Sequence, residues 1–292
     1  MRLLLALDVH DSLEPLVDTA IAWCKRLGGV LDVAHAETYP FGLSIADDPT
    51  LYVEFERQWD VLQKRDQQAS ELALAKIPET HRGAVHVLVG APDDALVDLS
   101  SKYDALIIAT HGRQGVRRLW EGSVSERVVR RSAAPVIVLR HDAPAGPGLG
   151  RVLLGVDLEH GTPTTAVQEA AEWARKLGTR LDLVYIDPFQ HAKIFDAPAP
   201  PESWLRDLER QRRAALDALA ATLHHDVRGE RLYRAGNAGA SISPLTELAE
   251  AREVAMLAVC THGRSGLTRL LLGSVAERVV RTATTPVLVL RQ

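Results

Sequence analysis

Cysteine is scarce in this chain, with only Cys24 and Cys260 among 292 residues. Two cysteines make neither a disulfide framework nor a thiolate metal cluster, and a reducing, cytoplasmic setting is the expectation. No apolar run approaches the roughly 20 residues that span a bilayer. The opening Met-Arg-Leu-Leu-Leu-Ala-Leu-Asp is cut short by Asp8, His10 and Asp11, so it reads as a first strand and not as a secretion signal. Positive charge is not in excess either. The net charge of −4 offers no broad basic surface for nucleic acid. Dedicated catalytic loops are missing too. The chain has no Gly-x4-Gly-Lys-Ser/Thr, no Gly-x-Gly-x-x-Gly and no nucleophile elbow. The Ser-Gly-Gly-x-Asp-Ser loop of ATP pyrophosphatases and the His-x-Gly-His of adenylyl transferases are absent as well.

What the chain does have is a duplication. Residues 110–140 and 261–291 align without gaps with 20 identities in 31 positions. Asp8 and Asp157, which end the two first strands, lie 149 residues apart, and the two Gly-Ser pairs lie 151 apart. A length of 292 residues suits two domains of ordinary size. The expected division is 1–140, a Pro/Gly-rich linker over 141–150, and 151–292.

In the first half, apolar runs and punctuation predict strands over Arg2–Asp8, Val30–Ala36, Val85–Val89, Ala105–Ala109 and Pro135–Arg140. Helices are expected over Leu13–Leu27, Leu51–Lys76, Asp93–Ser100 and Gly122–Arg131. The second half repeats this, with strands at Val152–Asp157, Arg180–Ile186, Arg231–Ala235, Val254–Val259 and Pro286–Arg291. Its helices are expected at Thr164–Leu177, Pro201–Leu223, Pro244–Ala251 and Gly273–Arg281. Strands alternating with helices imply right-handed crossovers and a parallel α/β sheet in each half.

Both fourth strands run into Thr-His-Gly-Arg (Thr110–Arg113, Thr261–Arg264). Nine residues then separate Gly112 from Gly122-Ser123-Val124, and Gly263 from Gly273-Ser274-Val275. A glycine-bearing strand exit that feeds a glycine-led helix start leaves backbone N–H groups free at the positive end of a helix. A phosphate can sit there. Ser123 with Glu126, and Ser274 with Glu277, also match a capping box, so a purely helix-starting role stands beside the phosphate role. His111 and His262 have no visible acid or metal partner and read as positional. His224-His225-Asp226 are adjacent on a helix end and do not converge on one ion, so no metal is expected there or elsewhere.

These two stretches resemble the Gly-x2-Gly-x9-Gly-Ser/Thr signature of the universal stress protein family, in its ATP-binding branch. The resemblance covers the chain twice. It departs from the signature at the first glycine, which is Ala109 in one half and Cys260 in the other. The resemblance implies two tandem doubly wound sheets of strand order 3-2-1-4-5, of the adenine nucleotide alpha hydrolase type. It also implies a pseudo-twofold pairing of the halves through their fifth strands, in the way that single-domain members dimerise.

ATP, ADP or AMP, with or without Mg2+, would then sit above strands 1 and 4. Asp8 and Asp157 would meet a ribose hydroxyl or the cation, and the backbone of Ala36 and Ile186 would meet the adenine. Ala109, Gly112, Arg113, Gly122, Ser123 and Val124 would line the phosphates in the first half. Cys260, Gly263, Arg264, Gly273, Ser274 and Val275 would do so in the second. For Val124 and Val275 the residues alone suggest packing of the helix onto the sheet. Glu159 adds negative charge where the family often has a small polar residue. The function implied is a nucleotide-binding regulator of the stress response with an unidentified protein partner. Rival readings are a weak ATP hydrolase and an interaction module with degenerate sites.

Overall fold

The computed structural model describes residues 1–10, 14–38, 49–110, 123–140, 146–159, 161–187, 201–235, 243–252, 254–261 and 274–291. The chain divides into two units, Met1–Gly146 and Pro147–Gln292.

In the first unit the elements run β1 (Arg2–Ala6), α1 (Glu14–Arg26), β2 (Val30–Glu37), α2 (Pro49–Ala75), β3 (Arg82–Val89), α3 (Pro92–Ser100), β4 (Ala105–Thr110), α4 (Val124–Arg131) and β5 (Val136–Arg140). The strands are parallel and lie in the order β3-β2-β1-β4-β5. Leu3, Leu4, Leu5, Leu106 and Ile107 have no exposed surface. Burial on both faces is what a parallel sheet sandwiched between helices demands, and it explains why these strands read as continuous apolar runs. On α1, Leu16, Val17, Ala20, Ile21, Trp23 and Cys24 form the buried stripe, spaced by three and four. The helix stops at Gly28, which takes φ +61°, so that Gly29 N returns to Cys24 O at 3.0 Å.

The second unit runs β6 (Arg151–Val156), α5 (Thr164–Lys176), β7 (Leu181–Asp187), α6 (Glu202–Ala221), β8 (Arg228–Ala235), α7 (Pro244–Ala251), β9 (Val254–Cys260), α8 (Ser274–Thr282) and β10 (Val287–Leu290). Its strands are also parallel, in the order β8-β7-β6-β9-β10. Gly178, at φ +61°, ends α5 as Gly28 ends α1.

The third strand of each half departs from the sequence reading. β3 begins at Arg82 and β8 at Arg228, three residues before the expected Val85 and Arg231. The early residues accommodate a buried carboxylate on the neighbouring strand, with Gly83 and Gly229 leaving it space and the next main-chain N–H donating to it. The β2–β3 register shifts between Leu31 and Val33, and Asp32 between them is 1% exposed. Its carboxylate accepts from Tyr103 Oη at 2.6 Å, Arg2 Nη2 at 2.8 Å and Ala84 N at 3.2 Å, with His86 Nε2 at 3.3 Å. The second half repeats the device. Asp182 accepts from Glu230 N at 2.7 Å and Arg151 Nη1 at 2.9 Å beside the shift between Leu181 and Leu183.

Burial alone would raise the Asp32 carboxyl, but the hydrogen bonds from Tyr103, Ala84, His86 and Arg2 outweigh it and hold the group below the usual carboxylate range. A carboxyl whose folded pKa is depressed contributes stability that is present above its unfolded value. That stability is lost as pH falls through the folded value. The Asp32→Asn variant is therefore expected to be less stable at neutral pH by about 1–3 kcal/mol. It should also lose melting temperature less steeply than the parent between about pH 5 and pH 3. Parallel acid limbs in the two thermal-melt series would contradict this assignment.

Candidate functional site

In each half the crossovers leave the first strand in opposite directions, toward the second strand on one side and the fourth on the other. That opens a crevice at the C-terminal ends of β1 and β4, and likewise of β6 and β9. Asp8 stands exposed at the first of these points, and its Oδ1 accepts from His10 N at 3.0 Å. Asp157, half-buried, accepts from Glu159 N at 2.8 Å, and its own N–H donates to Thr162 Oγ1 at 2.7 Å. Each aspartate thus builds the turn that follows its strand and sits at the mouth of the crevice.

Leu7 N donates to Ala34 O at 2.8 Å. Main-chain groups two residues apart in a strand face the same neighbour. The amide and carbonyl of Ala36 therefore face the side on which β1 has already ended. Ile186 is the next-to-last residue of β7 and is half-buried.

On the other flank, Ser125 Oγ donates to Ala109 O at 3.0 Å and ties the first turn of α4 to the end of β4. Ser123 is the N-cap of α4, accepting from Glu126 N at 3.0 Å. The Glu126 carboxylate pairs with Arg130 Nε at 2.9 Å. The helix-capping role of Ser123 is therefore real. Val124 is half-buried, whereas Val275 is 52% exposed and does not pack onto the sheet. Cys260 is buried, and that burial pushes its thiol up to about 12. It stays a protonated, small side chain at that position. Gly112, Arg113, Gly122, Gly263, Arg264 and Gly273 lie outside the described residues, as do His111, His262 and the side chain of Ser274.

The structure adds something on the second-strand side that sequence reading missed. In the second half, Arg212 of α6 is 7% exposed and forks between two carboxylates, with Nη1 to Asp187 Oδ1 at 2.6 Å and Nη2 to Glu159 Oε1 at 2.5 Å. Tyr185 Oη reaches Glu159 at 3.2 Å, and Tyr233 Oη donates to Asp187. The charge of Glu159 is thus matched by a guanidinium. A cleft of about 460 Å3 opens beside this network, lined by Leu158, Glu159, Trp204, Leu208 and Arg212 among others.

The first half places four other side chains together. His10 Nε2 lies 2.9 Å from Glu37 Oε1 and 4.0 Å from Asp66 Oδ1, and His35 Nε2 lies 3.7 Å from Asp66 Oδ2. The hydrogen bond to Glu37 raises the His10 imidazole above its ordinary value. Burial, with Glu37 nearby, pushes the Asp66 carboxyl up. These residues come from the exit of β1, the end of β2 and the middle of α2, so no local spacing announces them. The only available signal was a comparison between the halves, since Asp66 and Arg212 each precede an Arg-Gly pair by 16 residues.

Comparison with known proteins agrees with this architecture. A sequence profile described as the universal stress protein family matches residues 1–140 and again 148–291. A universal stress protein of Mycolicibacterium smegmatis is 26% identical over 282 residues, covering 94% of this chain and 92% of that protein. The universal stress protein Rv2005c of Mycobacterium tuberculosis is 25% identical over 292 residues, covering 97% and 95%. Among solved structures, a universal stress protein from Archaeoglobus fulgidus superposes with a TM-score of 0.66 at 18% identity, covering 99% of this chain and 98% of that one. No helix among the described residues is long and apolar enough to cross a membrane.

Proposed function

This chain belongs to the universal stress protein family, and from that membership we propose that it is a regulator that binds an adenine nucleotide in each half. The observation that carries the reading is the duplicated signature, Gly112 to Gly122-Ser123 and Gly263 to Gly273-Ser274, following strands that end at the switch point. Backbone amides and a helix N-terminus suit a polyphosphate. Arg113 and Arg264 add positive charge to those loops. Asp8 and Asp157 take a ribose hydroxyl or a Mg2+ ion, since a carboxylate directly against phosphate would repel it. The outward-facing main chain of Ala36 supports its pairing with the adenine edge, and Ile186 takes the same place in the second half. Ala109 and Cys260 replace the first glycine of the signature with small, uncharged side chains. ATP bound in this way would order the nine-residue loops and so alter the surface presented to a partner.

A ligand that binds only the native state must stabilise it, by about 2.7 kcal/mol at a hundred times its Kd. Saturating Mg-ATP is therefore expected to raise the melting temperature of the full chain. The Asp8→Ala/Asp157→Ala variant should bind about 10- to 100-fold more weakly, the equivalent of a lost charge-assisted hydrogen bond. Calorimetry that finds no heat of binding up to millimolar Mg-ATP, Mg-ADP and AMP would end this reading.

A further inference from the structure

We propose that the first half holds a divalent transition-metal ion, Zn2+ in the first instance, between His10, His35, Glu37 and Asp66. One ligand atom from each of these residues lies within 4.8 Å of all the others. Four ligands about 2.0 Å from a tetrahedral ion stand about 3.3 Å from one another, so the group needs only small side-chain movements to close on one. A site of two imidazoles and two carboxylates suits Zn2+ and its first-row neighbours better than Mg2+ or Ca2+.

Two buried atoms point inward without a partner. His35 is 3% exposed, and its Nδ1 lies 3.1 Å from Leu7 O. A carbonyl only accepts, so Nδ1 carries a hydrogen, and in the neutral ring that leaves the lone pair on Nε2. That Nε2 has no hydrogen-bond partner, and neither has Asp66 Oδ1 in a residue 2% exposed. A metal-binding histidine is oriented in this way, with its far nitrogen donating to a carbonyl and its near nitrogen bare. Buried polar atoms left unpaired cost free energy that a bound ion would recover.

The second half supplies an internal comparison. His10 and Glu159 each stand two residues after the first-strand aspartate, His35 and Tyr185 three residues after Asp32 and Asp182, and Glu37 and Asp187 five residues after them. Asp66 and Arg212 occupy matching turns of the long helix. The second half thus sets an arginine fork between two carboxylates. In the first half that position is itself a carboxylate, and the residue facing it across the turn is a histidine. Among the described residues no lysine or arginine pairs with Glu37 or Asp66. Where one half has a built-in cation, the other has two carboxylates and two imidazoles, the donor set that recruits a cation from solution. Because His10 N also donates to Asp8 Oδ1, the ion would fix the turn that carries Asp8. The metal proposal does not depend on nucleotide binding.

The test uses the full chain, stripped with EDTA and titrated with Zn2+ against a chromophoric chelator, then with Co2+ read by its visible d–d bands. The parent should take up one Zn2+ at this site, and the Co2+ form should show the intense bands of four-coordinate geometry. The His10→Ala variant alters a side chain 42% exposed and should stay folded by circular dichroism. It is expected to bind Zn2+ at least about 100-fold more weakly, since loss of an outer-shell partner alone costs up to that factor. The His10→Glu/Asp66→Arg variant, which imports the arrangement of the second half, should retain its melting temperature and give up the ion. If that variant does not fold, His10→Ala and Glu37→Gln decide. A parent that fails to compete with the chelator, or Zn2+ binding of equal strength in His10→Ala and Glu37→Gln, overturns the proposal.

Discussion

The Arg212→Leu variant is expected to be less stable than the parent by about 3–5 kcal/mol, the cost of removing one partner from a buried ion pair. The guanidinium is 9% exposed and Asp187 5%, so water does little to replace what is lost. Leucine fills part of the volume but leaves Asp187 and Glu159 as like charges facing each other with the guanidinium between them gone. Tyr233 still donates to Asp187, and Tyr185 to Glu159, which sets the cost below that of an isolated buried charge. The Arg212→Lys variant should fall between the two, because an ammonium cannot bond both carboxylates in a planar fork. Neutralising all three groups, as Arg212→Met/Glu159→Gln/Asp187→Asn, should recover most of the loss. Urea unfolding followed by circular dichroism measures each step. A loss below about 1 kcal/mol for Arg212→Leu would mean that the network is solvated like a surface pair.

A second large effect is expected from a single methyl group. Gly229→Ala would place a Cβ 2.6 Å from Leu181 O and 2.0 Å from Asp182 Oδ1, both inside contact distance. The carboxylate cannot swing away without breaking its bonds to Glu230 N and Arg151, and the carbonyl belongs to the sheet. Overpacking and the loss of a charge-assisted hydrogen bond together imply a loss of about 3 kcal/mol or more. Removing the carboxylate as well, in Gly229→Ala/Asp182→Ala, relieves only one of the two clashes. The double variant should therefore cost less than the sum of the two single variants, and additivity within about 0.5 kcal/mol would show that the two sites do not touch. Gly83 faces Asp32 in the same way, with the added Cβ 1.8 Å from Oδ1. Neither glycine has a left-handed backbone, so the requirement is for space and not for conformational freedom.

Much of the scaffold was legible because it rests on local periodicity. The buried strands read as unbroken apolar runs, α1 read as an amphipathic helix ended by Gly28, α5 was expected over 164–177 and runs Thr164–Lys176, and the duplication announced two similar halves. Ser123 read correctly as a possible cap, since a cap needs only residues within one turn. The starts of β3 and β8 were misjudged for the opposite reason. Arg82-Gly83 and Arg228-Gly229 look like turn residues, yet they are strand residues shaped around a carboxylate on the neighbouring strand. Val275 was misjudged as well, because a β-branched residue in the first turn of a helix does not tell which face meets the sheet.

Alone, then, the order of amino acids determined the alternation of strand and helix, the two-fold repetition and the family, since each depends on spacing along the chain. It also located the loop signatures at the ends of β4 and β9. Tertiary structure alone decided which charges meet. The fork of Arg212 onto Glu159 and Asp187 joins residues 53 and 25 positions apart, and the meeting of His35 with Asp66 joins a strand end to a helix. Whether a buried carboxylate finds an arginine or a histidine depends on distances of a few ångströms across elements. Only the folded sheet and its covering helices set those distances.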